Sequence, residues 1–211
     1  MGTRSIVLRA LRSLTANHSK AMPLRILEIG AGDGSLMLGV AQAMVPMRLN
    51  VLLTLFDRQP LVEPSTIERY KEVGWNTTQQ VGDVIDLAAS GFGRAAASVN
   101  APWHLVVSNL FLHHFEGAQL DLILKYISRH SQAFFACEPR RDWLSLAGSH
   151  MIGAIGANHV TRQDAVLSVH AGFNGNELTD RWPNDSNPWI LQEYSAGLFS
   201  HCFRAESARL H

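Results

Sequence analysis

Apolar residues along this chain fall into two alternating rhythms. Strand-length segments, most of them rich in apolar residues, recur at Leu24–Ile29, Leu49–Phe56, Thr77–Val81, Trp103–Ser108 and Ala133–Cys137. Runs apolar on both faces suit strands buried on both sides of a parallel sheet. Between them apolar residues recur every three or four positions, the helical period. Thr3–Ala16 predicts a helix with Ile6, Val7, Leu11 and Leu14 on one face. From Ser35 a second helix places Leu36, Val40 and Met44 beside Leu38, Ala41 and Val45, and Pro46 closes it. Pro64–Val73 is a third, with Ile67, Tyr70 and Val73 inward and Gly74 at its end. Gln119–His130 buries Leu120, Ile123, Leu124 and Ile127. Strands alternating with helices predict an α/β chain. Past strand five the pattern changes. Trp143–Ile155 is helical, and Thr161-Arg162-Gln163-Asp164 has the form of a capping box opening another helix that ends near Gly172. Trp189–Tyr194 and Leu198–Phe203 then form short strands joined through Ser195-Ala196-Gly197, an antiparallel hairpin.

The chain of 211 residues is read as one domain, residues 1–211, with an N-terminal helix in 1–20 and a helical insertion at 141–183. Lys and Arg total 18 and Asp and Glu total 18, so no global field draws the chain to nucleic acid or an anionic surface. No apolar run is long enough to span a bilayer. Arg4, Arg9, Arg12, Lys20 and Arg25, with no acid among them, allow a transit peptide, but the apolar helix face favours packing on the domain. Cys137 and Cys202 lack metal-ligand spacing and read as reduced core thiols of a cytoplasmic protein. The histidines show no close ligand spacing either, and no metal is expected.

The chemistry concentrates after the first strand. Glu28-Ile29-Gly30-Ala31-Gly32-Asp33-Gly34 makes a glycine turn between strand and helix, where a ligand can approach the backbone and the helix's free N–H groups. A dinucleotide fingerprint needs its third glycine one position later. Glu28 and Asp33 would also repel a pyrophosphate, whereas they suit a cationic ligand. The alternative is a plain βα turn without a ligand. The segment resembles motif I of the class I S-adenosylmethionine (SAM)-dependent methyltransferases, E/D-x-G-x-G-x-G. The resemblance implies a seven-stranded, mostly parallel, Rossmann-like sheet with the last strand antiparallel, helices on both faces and a helical insertion between strands five and six. It extends over roughly residues 24–205.

Under that resemblance the cofactor site comprises Glu28, Gly30, Ala31, Gly32 and Gly34; Asp57 with Arg58 after strand two; Asp83 and Val84 after strand three; and Asn109 and Leu110 after strand four. Asp57 is placed for ribose hydroxyls; the alternative is an ion pair with Arg58. Asp83 matches the position that contacts the adenine amino group; the alternative is an Asp capping the turn Asp83–Leu87. Asn109-Leu110-Phe111-Leu112-His113-His114-Phe115 resembles the loop that lies beside the methyl donor in small-molecule methyltransferases. An Asn/Asp-Pro-Pro-Tyr/Phe tetrapeptide is absent, which argues against adenine or glutamine nitrogens as acceptors.

His113 or His114 is the candidate base for an acceptor hydroxyl, or orients it; the alternative is packing or a backbone hydrogen bond. Glu138, read as one residue past strand five, is a candidate to hold an acceptor hydroxyl or to pair with Arg140 or Arg141. Trp143, Leu144, Leu146, Met151, Ile152 and Ile155 make an apolar cover, with Arg162 and Arg181 as anionic anchors; the alternative is that they seat the insertion. The strings Cys137-Glu138-Pro139-Arg140-Arg141 and Ala196-Gly197-Leu198-Phe199 resemble bacterial methyltransferases encoded beside type III polyketide synthases. Members of that subfamily carry a segment before Gly2-Thr3-Arg4, so the chain is expected to begin inside it. The implied function is methylation of oxygen or carbon on a small hydrophobic, phenolic or polyketide-derived acceptor. The partners are that acceptor, no nucleic acid and no membrane span, with a homodimer allowed. Rival readings are a quinone-type C-methyltransferase, a nicotinamide oxidoreductase, and a non-catalytic SAM-binding partner subunit.

Overall fold

The computed structural model describes residues 2–90, 103–141, 172–184 and 188–208. Its elements in order are α1 (Thr3–Leu14), β1 (Leu24–Ile29), α2 (Ser35–Met44), β2 (Val51–Asp57), α3 (Pro64–Glu72), β3 (Trp75–Val81), α4 (Val84–Ser90), β4 (Leu105–Asn109), α5 (Gly117–His130), β5 (Ala133–Pro139), α6 (Glu177–Arg181), β6 (Trp189–Ala196) and β7 (Ser200–Ser207). The expected helices at 143–155 and from 161, with Arg162, lie outside the described residues.

Seven strands form one sheet in the order β3-β2-β1-β4-β5-β7-β6. β1 pairs in parallel with β2 and β4, β2 with β3, and β4 with β5. β7 runs antiparallel between β5 and β6, so the last strand is the reversed one, as expected. Strand order turns back between β1 and β4. In open parallel sheets, ligands settle at the carboxyl ends beside such a reversal.

Each face of the sheet is closed by its own core. Ile6, Val7 and Leu11 of α1, Met37, Leu38 and Val40 of α2 and Tyr70 of α3 pack with Ile26, Leu53, Leu105 and Phe135. The other face joins Leu87 of α4, Leu120, Ile123 and Leu124 of α5 and Leu178 of α6 to Leu27, Val106, Phe134 and Phe203. Alternate apolar residues of β1 and β5 feed opposite cores, the strand period of two sending them to both faces.

The N-terminal helix folds onto the domain through its apolar stripe, as expected. Arg12 Nη2 donates to the Ala43 carbonyl at 2.8 Å, satisfying a free acceptor at the end of α2. Several boundaries differ from those expected. The second helix ends at Met44, a short 3₁₀ turn runs Val45–Met47, and Val45 is exposed rather than inward; Pro46 lacks the N–H needed to continue the ladder. β3 begins at Trp75, where the main-chain ladder to Val51 extends pairing into polar Asn76. The hairpin tip moves to Gly197, at φ +78°, the left-handed value that lets two long strands reverse. β5 runs through Pro139, so Glu138 lies inside the strand rather than one residue past it.

Candidate active site

Five strand ends meet at the carboxyl edge. Gly30, Gly32 and Gly34 take φ of +71°, +56° and +74°, values that disfavour any side chain. The Gly30 and Ala31 amides both donate to the Phe56 carbonyl, at 2.9 and 3.2 Å, pinning the turn to β2. A Cβ on Gly30 would run into the Phe111 ring, and one on Gly34 would meet Leu55 at 3.0 Å. A Cβ on Gly32 would meet nothing within 4 Å, so that turn residue faces open space. Tyr70 supports the turn from beneath, its hydroxyl donating to the Gly34 carbonyl at 2.7 Å.

Negative charge gathers around this turn. Glu28 is 2 % exposed, and its Oε2 has no hydrogen-bond partner among the described residues. Burial first, then the charges of Asp33 and Asp57, push its carboxyl up to about 8. Asp33 is held below the usual carboxylate range by hydrogen bonds from Ser35, whose amide lies at 2.9 Å. Asp57 Oδ2 accepts from the Gly32 amide at 2.9 Å and Oδ1 from the Gln59 amide at 3.0 Å. Burial and the nearby Glu28 and Asp33 charges also push the Tyr70 phenol up. A cation placed here would relieve repulsion among all three carboxylates.

Arg58 does not pair with Asp57. Its largely exposed guanidinium lies 4.0 Å from Asp83. Asp83 Oδ1 accepts from the Ile85 amide at 2.8 Å, so it caps the start of α4, and the buried Val84 is that helix's first residue. The Gly82 amide bonds the Asp57 carbonyl at 2.9 Å, which draws this corner to the end of β2. Asn109 closes β4 with its buried Oδ1 lacking a partner among the described residues.

Leu110, half-exposed, takes φ +51°, a left-handed value costly for a side chain with a Cβ. The reversal turns the following amides toward Glu138. That carboxylate, 0 % exposed, accepts from Phe111 N at 3.1 Å, Leu112 N at 3.0 Å, His113 N at 3.4 Å and Ser108 Oγ at 3.3 Å. Its Oε2 also meets His113 Nδ1 at 2.9 Å. A carboxylate only accepts, so Nδ1 carries a proton, and in the neutral imidazole Nε2 is the nitrogen that keeps its lone pair. His113 is 7 % exposed. The His114 ring lies 4.1 Å from the His113 ring, centroid to centroid. Burial, then His113, pulls the His114 imidazole below its ordinary pKa.

Arg141, one of the expected partners of Glu138, is tied instead to Glu177. Arg181 pairs with Asp121 at 2.8 Å. Both arginines line a cavity of about 650 Å³ with Phe115, Leu120 and Phe173, beside the loop after β4. Ser108 and Tyr70 were readable only as strand and helix-face residues, and Phe111 only as part of the loop after β4; positions distant in sequence give each its role. Among the described residues no three His, Cys, Asp or Glu side chains come together to hold a metal, and no helix is long and apolar enough to cross a membrane.

No family model matches the chain, and no curated protein matches it. Solved structures do. The citrinin polyketide synthase CMeT domain superposes with a TM-score of 0.66 at 14 % identity, covering 96 % of this chain and 52 % of that one. The CurJ carbon methyltransferase gives 0.60 at 14 %, with 97 % and 54 % covered. The small RNA methyltransferase HEN1 gives 0.61 at 12 %, with 96 % and 25 % covered. The chain thus spans about half the length of the first two chains it matches. With its sheet order, reversed last strand and glycine turn after β1, the chain has the fold of the class I SAM-dependent methyltransferases.

Proposed function

We propose that the chain is a SAM-dependent methyltransferase that methylates oxygen or carbon of a small hydrophobic, phenolic or polyketide-derived acceptor. One observation carries the reading: a buried imidazole whose Nδ1 is engaged by Glu138 sits in the loop after β4, beside the glycine turn. SAM, when bound, supplies a methyl group activated by its sulfonium. The chain's residues position, exclude water and move one proton.

The proposed cofactor residues are Glu28, Gly30, Ala31, Gly32, Gly34, Asp57, Arg58, Asp83, Val84, Asn109 and Leu110. The fit rests on the donor set. The unpartnered Oε2 of Glu28 and the clustered acids suit an ammonium, and the Gly32 face leaves room for close approach. Asp57 suits ribose hydroxyls, exchanging its bond to Gly32 N for them. Asn109 Oδ1 is a further acceptor at the end of β4.

His113 is the proposed base. Its Nε2 takes the proton of a phenol or enol as the oxygen or carbon becomes nucleophilic, and Glu138 steadies the imidazolium through Nδ1. Glu138 therefore acts as a positioning residue. His114, pulled down in pKa, stays neutral near pH 7 and contributes a polar, uncharged wall. The polyketide-related neighbours favour such acceptors over the quinone-type alternative, and the charge balance disfavours RNA.

The test is calorimetric titration with S-adenosylhomocysteine, with NADP as control, followed by an acceptor screen starting from phenolic polyketides. Binding of the first alone with turnover of a phenol or enol is the expected result. Binding without turnover of any acceptor favours the non-catalytic SAM-binding subunit, and no binding overturns the cofactor assignment.

A further inference from the structure

Cys137 and Cys202 face each other across the β5–β7 ladder. The ladder's hydrogen-bond parity can be read from its two ends. Ser207 N donates to the Gln132 carbonyl at 2.9 Å, and Arg140 N to the Phe199 carbonyl at 2.9 Å. Bonded and non-bonded pairs alternate along an antiparallel ladder. Glu138–His201 is therefore a bonded pair, and Cys137–Cys202 a non-hydrogen-bonded one. Directly opposed residues at such positions have Cα atoms about 4.5 Å apart, inside the ~4.4–6.8 Å range that a disulfide spans.

Both thiols are free and buried, on the sheet face that packs against α1 and α2, whereas Glu138 points to the other face. Each thiol is the largest influence on the other. A hydrogen bond from Cys202 draws the Cys137 thiol down, and Cys137 with burial pushes the Cys202 thiol up. The two sulfurs thus lie in mutual contact, so that either one, once oxidised, has the other beside it to close the bond.

We propose that Cys137 and Cys202 form a peroxide-sensitive dithiol that closes to an intramolecular disulfide, fastening β5 to β7 on the face opposite Glu138. The Cys137 thiolate attacks one oxygen of hydrogen peroxide; the O–O bond breaks and hydroxide leaves, giving a sulfenic acid. The Cys202 sulfur then attacks the sulfenic sulfur. The S–O bond breaks, and the departing hydroxide takes the Cys202 proton as water. The two thiols are oxidised by two electrons and the peroxide is reduced to two waters. The register sets the two residues directly opposite one another, at a separation inside the range a disulfide spans.

The experiment uses the whole chain, reduced, freed of reductant and exposed to a small excess of hydrogen peroxide. It is then denatured, alkylated without reduction and weighed intact and as peptides. The expected product has lost two hydrogens, takes up no alkylating agent and yields a linked Cys137–Cys202 peptide. Its Tm rises by about 5–15 °C, because the bridge closes the long loop from β5 to β7. Cys202→Ala is expected to stop at a sulfenic acid on Cys137, trapped by dimedone, with no rise in Tm. Two alkylated cysteines, a sulfinic acid in place of the bridge, or a disulfide between two copies would each overturn the proposal.

Discussion

Two buried glutamates stand near the carboxyl ends of β1 and β5, on either side of β4, and they are treated in opposite ways. Glu138 of β5 accepts from three backbone amides, a serine and an imidazole. Glu28 of β1 keeps one oxygen without a partner among the described residues and lies among two further acids. A saturated carboxylate organises chain; an unsaturated one is a standing electrostatic cost that a cationic ligand offsets. The β4–β5 half of the site is thus built by the protein on itself. The β1–β2 half keeps an unused acceptor and clustered acids, which the proposed cationic cofactor would engage.

The largest effect is expected where the saturated half is dismantled. Glu138→Ala removes the acceptor from several buried donors at once and is expected to destabilise folding by about 3–5 kcal/mol, read as a lower urea midpoint. A loss within 1 kcal/mol would mean the loop after β4 holds itself. Gly32→Val is expected to weaken S-adenosylhomocysteine on the order of 100-fold, through strain at a left-handed φ and filling of the open face. Unchanged affinity in calorimetry would remove the glycine turn from the cofactor site.

Glu28→Gln sharpens the contrast through pH. The folded carboxyl is raised to about 8 from an ordinary 4.5. Between those values the folded chain keeps a proton that the unfolded chain releases, so stability falls as pH rises through the window and the full loss is present above about 8. The amide variant is expected to unfold at a higher Tm than the parent at pH 8, to differ little at pH 4.5, and to bind S-adenosylhomocysteine about tenfold more weakly. A Tm gain independent of pH would contradict the buried-acid account. The smallest effect is expected for Asp57→Ala, which gives up two exposed or half-exposed amide bonds worth about 1 kcal/mol of stability while reducing affinity about tenfold. Loss of folding with normal residual affinity would make Asp57 structural.

Much of the frame was readable from local pattern. Leu24–Ile29 is buried on both faces, because its apolar positions Leu24, Ile26, Leu27 and Ile29 fall on both sides of the strand and have only a double-covered place to go. The glycine turn was readable because three left-handed residues in five leave little choice but glycine. The two buried clusters could not be separated along the chain, since strands such as β1, β4 and β5 feed both. Arg58 shows the limit of adjacency: next to Asp57 in sequence, it reaches Asp83 at the end of the neighbouring strand.

The sequence by itself determined the order of strands and helices and which chemistry stands near each strand's carboxyl end, since periodicity, glycine and proline act over a few residues. Only the tertiary structure decided how those groups are used. Glu138 is satisfied by amides far back in the chain, and its register partner across β7 is His201, with Cys137 and Cys202 opposed one step earlier. Such pairings depend on which strands lie side by side and in what register. Those are set by the packing of both cores together and by no short stretch of chain.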